Sequence, residues 1–183
     1  MKFSLVDDVR HILSIQTSNY PTQAGELISP FLDDMKGLYA LARKQGVDIT
    51  PMENPFDALQ IVLIGAVFMD GDIDGPELET YNAVCAACNY EGVTRDVLVK
   101  VMSNLAREDE LKTLRYCLAF VATVRVAEKD KTPYHNFLLG LWCLLLANEG
   151  LTESEYQYMV ALYDEKEDDL PKDFEACKAA LAN

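Results

Sequence analysis

Positive charge is scarce in this chain: 16 lysines and arginines stand against 30 aspartates and glutamates, a formal net charge of −14 over 183 residues. Such a surface repels polyanions, so DNA, RNA and anionic membranes are not expected partners, while metal cations and basic proteins are electrostatically reasonable ones. Long hydrophobic runs are missing as well. The longest, 137–147, has 11 residues with Gly140 inside it. That is about half of a membrane span, so no transmembrane segment is expected and the run reads as the core of a buried helix. The five cysteines are an odd number without framework spacing, which points to free thiols in a reducing compartment. The first 13 residues meet Asp7 and Asp8 before any long apolar run, so they read as no signal peptide and a cytoplasmic location is expected. With two histidines, neither in a ligand pattern, no Ser-His-Asp arrangement can be assembled. A glycine-rich phosphate loop and a basic patch with interleaved aromatics are also missing.

What is present is helical periodicity. Apolar residues recur at three and four throughout, and no strand-like alternation competes with them. Leu5, Val9 and Ile12 mark a short first helix, and Leu27, Phe31, Met35 and Leu38 mark one over 22–44 that Pro30 should kink or divide. Asn54-Pro55 and Thr132-Pro133 each read as a cap followed by proline in the first turn. They open two runs, 56–69 and 134–147, that are apolar on nearly every face. Each run ends in a polar joint, and each joint leads into a capping box, Asp74 with Glu77 and Thr152 with Glu155. These features align without a gap at an offset of 78. The expectation is an all-α, compact helical bundle of eight or nine helices in one domain over 1–183, with 54–92 and 132–165 as repeated helical hairpins. Gly65 and Gly140 would let the two central helices approach closely. Further helices are expected over 109–129 and 171–181, with 164–169 as an acidic hinge.

The first joint is the feature most like a site. Asp70, Asp72, Asp74 and Glu77 place four carboxylates in eight residues, with Gly75 after the third aspartate as in the first half of a helix-loop-helix calcium loop. That loop needs a bidentate Glu at its twelfth position, where this chain has Tyr81, so an ordinary EF-hand is excluded. An oxygen-rich set of this kind suits Ca²⁺, Mg²⁺ or Mn²⁺. If the repeats pack back to back, Glu149 and Glu155 can complete the shell from the second joint. Asp74 and Glu77 have a second reading as cap and capping-box partner. Asp70 is the most telling of the set, because a carboxylate at the tail of a helix sits at the unfavourable end of its dipole.

An apolar helix ending in Asp70-Gly71, then Ile73, then Glu77 at the start of the next helix resembles the signature of the TerB-like family of tellurite-resistance proteins. Asn148-Glu149-Gly150-Leu151-Thr152 with Glu155 is similar to a second, degraded copy, with Asn148 in place of the aspartate. The resemblance covers roughly residues 22–165. It implies an all-helical cytoplasmic protein, metal-associated acidic residues, and a place in bacterial metal or chemical stress systems.

Three functional readings follow. The first is a non-enzymatic, divalent-metal-associated stress protein with an acidic surface for partner proteins. The second is a metal-free interaction module that uses an apolar groove between the hairpins. The third is a metal-dependent hydrolase, which lacks a phosphate clamp because no bases cluster beside the joint. Cys85-Ala-Ala-Cys88 has redox spacing but lies late in a helix, where nothing stabilises a thiolate, so it reads as core. Tyr134, Tyr156, Tyr158 and Tyr163 are candidates for a partner surface.

Overall fold

The computed structural model describes residues 2–46, 54–71, 73–105, 108–127, 129–148 and 150–183, without the side chains of Asp70, Leu105 and residues 108–111. Nine α-helices make up the described fold: α1 (Leu5–Leu13), α2 (Tyr20–Lys44), α3 (Pro55–Val67), α4 (Gly75–Ala87), α5 (Arg95–Leu105), α6 (Glu108–Ala127), α7 (Thr132–Leu145), α8 (Glu153–Val160) and α9 (Phe174–Leu181). The all-α expectation holds, and no strand forms among the described residues beyond one isolated bridge between Ser4 and Asp169. None of the described helices is long and apolar enough to cross a membrane.

The two apolar runs become α3 and α7, which pack against each other. Leu59, Val62 and Leu63 on α3 and Phe137, Leu138 and Leu141 on α7 are wholly buried. Periodicity did not reveal that α2 is the hub, packing on α3, α4, α6 and α7. Pro30 neither divides α2 nor ends it. It lies on the exposed side of the helix, as does Glu26 one turn earlier, so the proline ring is kept out of the core packing.

The close backbone approach expected at Gly65 and Gly140 occurs at Gly25 instead. A Cβ there would meet Ala87 Cβ at 3.0 Å and the Ala83 carbonyl oxygen at 3.2 Å, so α2 and α4 touch at backbone distance. Gly65 and Gly140 face side chains, Leu114 and Tyr158 in one case and Ile28 and Leu27 in the other.

Helix starts follow local chemistry. The Asn54 side chain accepts from the Asp57 amide and Pro55 takes the first turn, as expected. Thr132 does not repeat that device. Lys131 is the N-cap of α7 with no side-chain bond, and the Thr132 amide and hydroxyl both donate to Asp130 Oδ1, at 3.0 and 2.7 Å. Asp130, two residues earlier, takes the threonine's own donors, and the His135 amide bonds the Lys131 carbonyl instead of a Thr132 side chain. The last helix starts at Phe174, capped by Asp173, rather than near 171.

Candidate cation site at the two helix joints

The first joint forms where α3 tightens into a 3-10 turn, Phe68–Asp70, and Gly71 takes a left-handed conformation at φ 89°. Only a residue tolerant of positive φ reverses the chain there without strain. Asp74 then caps α4. Its Oδ1 accepts from the Glu77 amide at 2.9 Å, and Glu77 Oε2 accepts from the Asp74 amide at 3.0 Å. At the second joint Gly150 takes φ 80°, and Thr152 caps α8 in the same way. Glu155 Oε2 accepts from the Thr152 amide at 2.7 Å and from its hydroxyl at 2.8 Å. Both expected capping boxes are therefore present, 78 residues apart.

The joints are crossed rather than separate. The 3-10 turn that ends α3 packs against α8, and α7 packs against α4. Asn148, just after α7, donates from Nδ2 to Glu77 Oε1 at 3.1 Å. Glu77 and Glu155 are each only 1% exposed. Burial at that level is costly for a carboxylate unless donors surround it, and the backbone amides, the Thr152 hydroxyl and the Asn148 amide contribute here. Arg95 at the start of α5 joins the site as well, donating from Nε to the Ile73 carbonyl at 2.9 Å. Sequence reading missed it, because a separation of 22 positions hides the contact.

Of the six residues singled out in the sequence, Asp74 and Glu77 meet at the first joint and Glu155 stands at the second. Asp72 and Glu149 lie outside the described residues, and Asp70 is described in its backbone alone. Asp70 is the position 78 residues before Asn148, and its turn is the one that packs on α8. Among the described residues no group of three or more His, Cys, Asp and Glu side chains converges as metal ligands do.

A second polar cluster went unread in the sequence. Asp8, 6% exposed on α1, accepts from the Tyr163 hydroxyl at 2.6 Å and bonds His135 Nε2 at 2.8 Å. Trp142 Nε1 donates to Tyr163 at 3.0 Å. Burial first, and then the charge on Asp8, hold the Tyr163 hydroxyl well above its ordinary range, so it stays a donor. Phe3 stacks on His135 with ring centroids 4.1 Å apart and closes the cluster from outside. The expected acidic hinge is likewise no hinge. Asp168 is buried against Arg125 at 2.7 Å and accepts from the amides of Phe3 and Asp164.

The tyrosine surface is corrected outright. Tyr134, Tyr156, Tyr158 and Tyr163 are all buried, and Tyr158 donates to the Val62 carbonyl at 2.6 Å inside the core. An apolar groove lies on the flank made by α3, α5 and α6, lined by Ile61, Ile64, Val97 and Val101, with a volume of about 440 Å³. All five cysteines are free and buried, as the core reading has them. Burial pushes the thiols of Cys117 and Cys143 up to about 12. No family model, curated protein or solved structure matches this chain.

Proposed function

We propose that this chain is a non-enzymatic, divalent-cation-associated protein of the kind that its sequence resembles, the TerB-like tellurite-resistance proteins, serving a metal or chemical stress response by presenting an acidic helical surface to partner proteins. The observation that carries the reading is the meeting of the two joints: Asn148 of one reaches Glu77 of the other at 3.1 Å, with the Glu77 carboxylate buried beside it. Two carboxylate-bearing helix starts held against each other's preceding helices offer oxygen donors from both halves of the chain, the donor type that Ca²⁺, Mg²⁺ and Mn²⁺ prefer.

The test is calorimetric titration of metal-stripped protein with each of these cations, alongside thermal unfolding. A ligand selective for the native state raises its stability by about 2.7 kcal/mol at a hundredfold excess over Kd. Asp70→Asn is the informative variant, since a carboxylate at the tail of an apolar helix sits at the unfavourable end of its dipole. It is expected to weaken binding at least tenfold, about 1.4 kcal/mol. Unchanged affinity in that variant removes Asp70 from the site.

One observation favours the metal-free interaction module: Asp74, Glu77 and Glu155 are all engaged as caps or capping-box partners. Under that reading the carboxylates serve the helix starts and recognition passes to an apolar surface. Thermal unfolding that ignores all three cations would select it over the first.

A further inference from the structure

Helix α3 serves two faces. Leu59, Val62 and Leu63 are wholly buried in the core, while Asp57, Gln60, Ile61 and Ile64 line the groove between α3, α5 and α6. Both α5 and α6 pack on α3 and on each other, so the groove is walled on two sides. Val97 and Val101 of α5 continue the apolar lining, and Val97 is 46% exposed, so that lining reaches solvent. The volume of about 440 Å³ falls within the range of roughly 300–1,000 Å³ typical of small-molecule sites. The recesses beside Lys129–Thr132 and beside Glu165–Asp173 are walled mostly by charged side chains instead.

Polarity gathers at one end of the groove. Asp57 and Gln60 stand one turn apart on α3, and Gln60 Nε2 is 3.5 Å from the Tyr81 hydroxyl of α4, at the outer limit of a hydrogen bond. Asp57 is the one charged residue among the described lining residues. Its Oδ2 accepts from Asn54 Nδ2 at 2.9 Å, a neutral donor, and no ion pair among the described residues balances its charge.

We propose that this groove binds a small apolar molecule carrying a primary ammonium group. Its hydrocarbon part lies among Ile61, Ile64, Val97 and Val101 and removes them from water. Its ammonium lies at the Asp57 end, where three N–H donors meet the oxygens of Asp57, Gln60 and Tyr81. A fatty acid of the same size is refused, because its carboxylate would be desolvated beside Asp57 on a chain of net charge −14. The cations nearest in sequence to the walls do not oppose the ammonium. Arg95 turns to the Ile73 carbonyl, and Lys100 and Lys112 are exposed and do not line the groove. The site shares no residue with the two carboxylate joints and depends on neither reading of them.

The test titrates the full chain with octylamine, octanol and octanoate, followed by calorimetry and by amide chemical shifts. Octylamine should saturate at one equivalent and bind at least tenfold more tightly than octanol, with octanoate the weakest of the three. Asp57→Asn, which keeps an oxygen for Asn54 to reach, should lower octylamine affinity at least tenfold and leave octanol unchanged. Val97→Trp, at an exposed position, should fill the groove and abolish binding of both. On the unaltered chain the shifts should fall in residues 57–64, 93–101 and around 113, a readout independent of whether either variant folds. The proposal is overturned if octanol or octanoate matches the amine, if Asp57→Asn leaves the amine unaffected, or if the shifts centre on the carboxylate joints. It is overturned equally by the lack of saturable binding, and by sedimentation as a dimer that Val97→Trp dissociates, which would seat a second copy in the groove.

Discussion

Asp168→Asn should be among the most damaging single-atom changes this chain can suffer. The Asp168 side chain has no solvent exposure and that of Arg125 only 5%, at a separation of 2.7 Å. Arg125 also lies over the rings of Phe3 and Tyr134, at 5.4 and 5.2 Å, and the half-exposed Glu167 stands 3.6 Å from its guanidinium. Arginine cannot shed its proton to escape, so removing the Asp168 charge leaves a buried cation with the longer, water-screened contact to Glu167 as its countercharge. Breaking a buried pair in this way costs about 3–5 kcal/mol. The same change weakens two acceptor roles, toward the amides of Phe3 and Asp164. In a chain of 183 residues each kcal/mol shifts the midpoint by about 2–4 °C, so a fall of roughly 6–20 °C is expected. Urea unfolding followed through the buried Trp142 gives the free energy directly, provided that the slope is unchanged. Lys2→Ala is the control, since its bridge to Asp169 is exposed on both sides and should be worth under about 1 kcal/mol. A loss below 1 kcal/mol for Asp168→Asn would refute the reasoning, as would simple additivity with Arg125→Met in a double-mutant cycle.

Gly25→Ala should destabilise by up to about 2 kcal/mol, because a crowding cost of about 1–3 kcal/mol against the α4 backbone outweighs the helix-propensity gain of about 1. Gly37→Ala, on the same helix with nothing within 4 Å of its Cβ, should instead stabilise by up to about 1 kcal/mol, and equal effects at the two sites would contradict the packing described. Tyr158→Phe should cost about 1 kcal/mol through its lost bond to the Val62 carbonyl, read in the same urea titration. The buried thiols predict an alkaline limit. With Cys88 raised to about 11 and Cys117 and Cys143 to about 12, the native state holds protons that the unfolded chain releases near pH 8.5. The stability they contribute is full below that pH and is lost as pH rises toward 11–12, and an aromatic disulfide reagent at pH 8 should label these thiols only after unfolding.

The helices were legible because their causes are local. Asn54, Asp74 and Thr152 cap the helices they were expected to cap, through contacts spanning three residues. The apolar runs became α3 and α7 because a stretch hydrophobic on every face has no stable place except the core. Expectations failed where a neighbour in space outweighed a neighbour in sequence. Thr132 was expected to cap as Asn54 does, but Asp130 offers a charged acceptor two residues away and takes both of its donors. Tyr158 was a candidate for a partner surface, yet its hydroxyl finds an acceptor on α3, 96 residues distant. The acidic stretch 164–169 read as a hinge, whereas Arg125 and the amide of Phe3 come to meet Asp168 there.

The same distinction runs through the carboxylate joint itself. The carboxylate joint stands out in sequence because four acids fall within eight residues, and spacing alone flags them. What spacing cannot supply is the crossing of the joints, which depends on α7 lying on α4 and brings Asn148 to Glu77 across 71 residues. A site made of consecutive residues can be found by counting, whereas one made by packing two distant helices must wait for the fold.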